Sequence, residues 1–129
     1  MAIKLILLDT SILIDYFRKP NKEKTILVEL TNKGYTFSIS TITKFEIYTG
    51  ATDNQLEFWN TLFKNFKIFS FDEKSADIAS KLNTELKKKR KQIDIADLFI
   101  ASIAIAHKIP IATSNKKHFE RIDGITIID

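Results

Sequence analysis

Ile3-Lys4-Leu5-Ile6-Leu7-Leu8-Asp9-Thr10-Ser11 decides the fold. A short apolar run, partly β-branched, stops at an acid and two hydroxyl residues. Such a run reads as a buried strand from Ile3 to Leu8 that turns into a helix over Ile12 to Phe17. A carboxylate at that point has no role in a hydrophobic core, because an isolated one taken out of water neutralises, pairs or binds a metal. Asp97 poses the same question. It opens the stretch Leu98 to Ala106, which is apolar on nearly every face.

The pattern repeats outward from that strand. Pro20 stops the first helix, Lys22 to Asn32 is amphipathic with Ile26, Leu27 and Leu30 inward, and Gly34 ends it. Tyr35 to Ile39 is a strand, Ser40 to Gly50 a helix, and Gln55 to Phe66 a helix with Leu56, Trp59, Leu62, Phe63 and Phe66 on one stripe. Lys67 to Phe71 is a strand. Asp72 caps a long helix from Glu73 to about Lys89, and Asp94 stands at the start of the apolar helix that runs to His107. Ile109 to Ala112 and Ile125 to Ile128 complete the strands. Strands alternating with helices imply a mostly parallel central sheet covered on both faces, a three-layer α/β/α sandwich.

At 129 residues the chain fits a single domain, 1–129, with one substantial core. It is 44% hydrophobic and 28% charged, within the ordinary range for a globular protein, which argues against disorder. The absence of cysteine excludes thiolate metal sites, disulfides and thiol catalysis, and suits a reducing compartment. No apolar run has the length of a membrane span, and the N-terminal run meets Asp9 too early for a signal-peptide core, so a cytoplasmic protein is expected. The net charge of +4 suits a polyanionic partner.

In open parallel sheets, ligands bind beyond the carboxyl ends of the strands. Asp9 lies at one such end and Thr113-Ser114-Asn115 at another, while Asp97 begins the helix leading to that second strand. Glu46 shares a helix face with Thr43 and Gly50, which leaves Ile42 and Phe45 to make much of the core contact. Each acid also has a plainer account. Asp9 suits an N-cap, Glu46 a surface helix position, and Asp97 and Asp94 a helix first turn. Gathered in one cleft, Asp9, Glu46 and Asp97 would form a hard oxygen donor set that suits Mg²⁺ or Mn²⁺ and not zinc.

Four stretches in order carry a family resemblance: LLDTSILID (Leu7–Asp15), SISTITKFEIYTG (Ser38–Gly50), IADLFIAS (Ile95–Ser102) and IATSNKKHF (Ile111–Phe119). With these the chain resembles the PIN-domain ribonucleases of the VapC type, toxins of toxin-antitoxin pairs. Asp9, Glu46, Asp97 and Asn115 fall on the family's catalytic positions. Asn115 stands where a fourth acid is often found, and His118 where an Asp often precedes the Phe. Asn115 is expected to orient a water or ligand, Asp94 to add negative potential, and His118 to be structural.

The resemblance implies hydrolysis of RNA phosphodiester bonds, with one or two Mg²⁺ or Mn²⁺ ions held by Asp9, Glu46 and Asp97 activating the attacking water. It also implies a homodimer and a cognate antitoxin partner. Ser11, Thr43 and Thr113 are expected to orient the acids or touch the substrate. The basic run Lys87, Lys88, Lys89, Arg90 and Lys91 is the main candidate for the RNA backbone, with Arg18, Lys19 and Lys116 as lesser ones. Phe58 is a candidate partner contact, and His107 a helix terminator. The competing class is a non-catalytic PIN module that binds nucleic acid or a partner through an incomplete metal site. Two phosphate-handling folds also start with a strand-end Asp. A haloacid-dehalogenase-type enzyme needs a second Asp where Ser11 stands, and a receiver domain needs an acidic pair and a late Lys that are missing.

Overall fold

The computed structural model describes residues 4–128, so Ile3, with which the first strand was expected to begin, and the outermost ends of the 1–129 domain lie outside the described residues. Among the described residues, four strands form one sheet: β1 (Leu5–Leu8), β2 (Thr36–Ser40), β3 (Lys67–Phe69) and β4 (Ile111–Ala112). Their order is β3-β2-β1-β4 and every pairing is parallel. The helices are α1 (Thr10–Arg18), α2 (Ile26–Asn32), α3 (Thr41–Gly50), α4 (Asp53–Phe63), α5 (Glu73–Lys88), α6 (Ile95–Ala106) and α7 (Lys116–Phe119).

Successive side chains of β1 point to opposite faces of the sheet. Ile6 and Leu8 enter one core, with Ile12 and Leu13 of α1, Leu27 and Leu30 of α2, Ile47 of α3, and Trp59 and Phe63 of α4. Leu7 enters the other, with Ala79, Leu82 and Leu86 of α5, Leu98 to Ala104 of α6, Ile111 and Phe119. This is the expected three-layer α/β/α arrangement. It explains why Ile6, Leu7 and Leu8 are all completely buried, as strands covered on both faces require.

Local chemistry sets the helix ends. Lys19, which precedes Pro20, is extended at φ −75° and ψ 127°, so α1 stops at Arg18. Lys22 Nζ then donates to the carbonyls of Tyr16, Phe17 and Lys19 at 2.6, 3.0 and 2.9 Å, satisfying the open end of α1. Gly34 takes the left-handed φ of +87° after α2. Asp72 caps α5 by accepting from both the backbone N–H and the hydroxyl of Ser75.

Several expectations need correction. The single helix over Lys22 to Asn32 is a short 3-10 turn at Lys22–Lys24 followed by α2, because Thr25 is extended and its hydroxyl caps the second segment at Val28. β3 ends at Phe69, two residues early. Ile125 to Ile128 reaches β4 through one bridge, Ile111 to Ile127, with no regular strand. Phe45 is not a core residue: it is 69% exposed, and the inward positions of α3 are Thr43 and Ile47. No helix among the described residues is long and apolar enough to cross a membrane.

Candidate metal and phosphodiester site

β1 is paired with β2 on one side and β4 on the other, so the chain leaves β1 in opposite directions to form the sheet. The crevice at the carboxyl ends of β1 and β4 is therefore a topological switch point, where ligands bind in folds of this kind. A cleft of about 750 Å³ opens there, and Asp9, Glu46, Asp94, Asp97, Asn115 and His118 all line it.

Asp9 is the deepest of these groups, with 2% of its surface exposed. Its backbone occupies the N-cap position of α1, as its plainer account expected, yet its carboxylate caps nothing. Instead, the hydroxyls of Ser11 and Thr113 both donate to Asp9 Oδ2 at 2.8 Å. Ser11 also accepts from the backbone N–H of Ser114 at 3.1 Å, tying the ends of β1 and β4 together. Thr113 Oγ1 accepts from the backbone N–H of Asn115 at 2.9 Å, which turns the chain into α7.

Glu46 reaches the cleft from α3, where Ser40 caps the helix by accepting from the Thr43 N–H. Thr10 is the link between the two strands' helices. Its hydroxyl lies 2.7 Å from Glu46 Oε1 and 3.0 Å from Thr43 Oγ1. The sequence shows Thr10 as one of two hydroxyl residues after Asp9 and assigns it no role, since its partners are visible only when α1 and α3 stand side by side.

Asp97 sits in the first turn of α6. Its Oδ2 is 3.1 Å from His118 Nδ1 on α7. His118, expected to be structural, places its ring in the cleft. Burial pushes the Asp97 carboxyl above the ordinary 3.8; the His118 hydrogen bond opposes this, and the negative charges of Asp9 and Asp94 reinforce it. Asp94, expected to add negative potential, lines the same cleft and makes no side-chain cap for α6.

A common pattern joins the three acids. Each gives one oxygen to a protein donor: Asp9 Oδ2 to two hydroxyls, Glu46 Oε1 to Thr10, Asp97 Oδ2 to His118. Their second oxygens take none of these bonds. The donor set is hard and all-oxygen apart from His118, which suits Mg²⁺ or Mn²⁺. Among the described residues, however, no three His, Asp or Glu side chains stand close enough to grip an ion unaided. Asp9, Glu46 and Asp97 do line one cleft, as the sequence reading expected. A Mg²⁺ ion is compatible with this spacing, because it ordinarily retains several waters and takes one or two carboxylates directly.

The basic run is elsewhere. Lys87 to Lys91 closes α5 outside the cleft lining, with Lys89 3.4 Å from Asp123 and Arg90 in the left-handed region at φ 54°. Arg18 and Lys19 do line the cleft, whereas Lys116 lines a smaller neighbouring pocket. Phe58 packs edge-on against Phe17 and Trp59 and remains 36% exposed. His107 terminates α6 as expected and packs its ring 4.2 Å from that of Phe69.

The family model described as the PIN domain matches residues 6–125. The chain belongs to the PIN domain family. This PIN domain is 42% identical over 127 residues to ribonuclease VapC1 of Methanocaldococcus jannaschii, covering 96% of this chain and 87% of the relative. Among solved structures it resembles VapBC2 from Rickettsia felis bound to a promoter DNA fragment (TM-score 0.82, 28% identity, 96% and 97% of the two chains). It also resembles the DNA-bound VapBC of Salmonella typhimurium, with a TM-score of 0.86 and 26% identity over 99% and 98% of the chains. The four motifs that suggested the PIN domain supply Asp9, Glu46, Asp97, Asn115 and His118 of the cleft, while Arg18, Lys19 and Asp94 come from outside them.

Proposed function

We propose that this PIN domain is a divalent-metal-dependent endoribonuclease and the toxin of a toxin-antitoxin pair. The observation that carries the proposal is Asp9. A carboxylate that is nearly completely buried, shares a cleft with Glu46 and Asp97 and has only neutral hydroxyl donors calls for a cation. The relatives named ribonuclease VapC and the solved VapBC assemblies support the nuclease activity and the antitoxin partner. A homodimer is part of the same proposal, as is a cytoplasmic location.

Asp9, Glu46 and Asp97 would hold Mg²⁺ or Mn²⁺, directly or through water. The bound ion would supply a nucleophile from water at neutral pH and neutralise charge at the phosphate. The chain's own groups do the positioning. Ser11 and Thr113 fix Asp9, Thr10 fixes Glu46, and His118 fixes Asp97. Asn115 presents an uncharged amide to the cleft and can orient water or a phosphate oxygen without adding repulsion.

The test is cleavage of single-stranded RNA with and without Mg²⁺. We expect products with 5′-phosphate and 3′-hydroxyl ends, full loss with chelator, and full loss in Asp9→Asn and Asp97→Asn. A 2′,3′-cyclic phosphate product would overturn the water-attack scheme. RNA binding with no cleavage at any Mg²⁺ or Mn²⁺ concentration would instead establish the non-catalytic module.

A further inference from the structure

The cleft is lined by cations as well as acids. The α1 residues that line it are Thr10, Ser11, Ile14, Asp15 and Arg18, spaced as one face of a helix, and Lys19 follows just past its end. That face begins beside Asp9 and leads to two cations. At the helical rise, Arg18 lies about 10 Å along the axis from Ser11.

The two cations are not equivalent. Lys19 Nζ is 2.7 Å from Asp15 Oδ1. Burial pushes the Asp15 carboxyl up, but the hydrogen bond from Lys19, the Ile26 N–H and the charge of Lys19 together hold it below 3.8, so that pair is a settled one. His118, the other basic group in the lining, is occupied with Asp97. Arg18 is exposed and, among the described residues, has no hydrogen bond, ion pair or ring contact.

A polyanion entering a cleft lined by Asp9, Asp15, Glu46, Asp94 and Asp97 meets repulsion, and a free cation at the mouth offsets it. With Arg18 about two turns of α1 beyond Ser11, a strand that runs along this face brings successive phosphates to the two ends. A nucleic acid strand carries such a second phosphate and a mononucleotide does not. We infer that Arg18 binds a backbone phosphate of the RNA strand neighbouring the scissile one, with Ile14 against the sugar or base between them. The inference rests on the ribonuclease reading and assigns that site a direction along α1. The guanidinium presents two parallel donors to a phosphate, which suits it to fixing the strand's register.

The experiment measures affinity for a short single-stranded oligoribonucleotide in a cleavage-silent Asp97→Asn background, across a salt series. Arg18→Ala is expected to weaken binding about tenfold and to lower the slope of log affinity against log salt by about 0.7, the value for one phosphate contact on a single strand. Arg18→Lys should keep the slope. One methylphosphonate, placed at a single position of the oligonucleotide, should remove the difference between Arg18 and Ala. Lys81→Ala on the outer face of α5 serves as the charge-matched control, and thermal melts verify that α1 remains folded. If Arg18→Ala matches the Lys81→Ala control in both affinity and slope, the inference fails. Cleavage by the unsubstituted protein in Mg²⁺ is read in parallel. Cleavage without an Arg18 effect overturns only this inference, whereas an Arg18 effect without cleavage overturns only the ribonuclease reading.

Discussion

Thr10 Oγ1 donates to Glu46 Oε1 across 2.7 Å and thereby joins the helix that follows β1 to the helix that follows β2. The Glu46 carboxylate has no other hydrogen bond among the described residues, so its direction into the cleft depends on one hydroxyl. Thr10→Val keeps the side-chain shape and removes that donor. Loss of a group that orients a metal-binding residue commonly costs 10- to 100-fold in metal affinity or activity. We expect a Mg²⁺ titration of RNA cleavage to move to higher concentration by roughly tenfold in Thr10→Val. Thr10→Ser should retain most of the activity.

How far the sequence discloses this site depends on separation along the chain. Asp9 and Asp97 stand out because each interrupts an apolar run, and the parallel order of strands follows from the alternation of periods two and 3.6. The Thr10 and Glu46 bond spans 36 positions and needs β1 and β2 to be neighbours before it can be seen. The contact of His118 with Asp97 requires the short α7 to be held against α6 by Phe119, which is fully buried. Phe45 was misplaced because α3 touches both cores: Ile47 packs on one side of the sheet and Ile42 on the other, which turns Phe45 outward. A one-stripe helix pattern has no place for such an element.

The His118 ring faces the Asp97 carboxylate where an additional acid would have raised the local negative charge. Replacing it tests whether the ring positions Asp97 or merely fills space. His118→Ala is expected to reduce RNA cleavage at saturating substrate by about tenfold, and His118→Asn, which keeps a donor near the same place, should recover part of it. Steady-state kinetics would check this, since a purely structural role would lower the melting temperature of both variants without separating their kcat values.

Lys87 to Lys91 lies outside the cleft lining, so its influence on RNA should depend on substrate length. Reversal of charge across the run is expected to leave KM for a short oligonucleotide unchanged. For a long RNA able to reach the end of α5, the same variant should raise KM and flatten the salt dependence. Equal effects on both substrates would show that the run reaches the cleft in solution.

The Asp97 carboxyl makes the stability of the fold depend on pH. Its carboxyl is raised above 3.8 in the folded protein by burial, against the His118 hydrogen bond and with support from the charges of Asp9 and Asp94. A raised acid binds more protons folded than unfolded between the ordinary and the raised values. Stability therefore falls as pH rises through that window and stays lower above it. Asn at this position cannot ionise. Asp97→Asn should consequently be more stable than the parent at pH 7, with the difference shrinking as pH falls toward 3.8 and the parent carboxyl takes up its proton. Urea unfolding followed by the fluorescence of the buried Trp59 measures both proteins across that range. The opposite sign at pH 7, in buffer free of divalent cations, would mean that the Asp97 charge is compensated within the apo fold by His118 alone. Added Mg²⁺ should then discriminate further, because an ion that binds only the folded state stabilises it by mass action. The parent should gain stability with Mg²⁺, and Asp97→Asn should gain less.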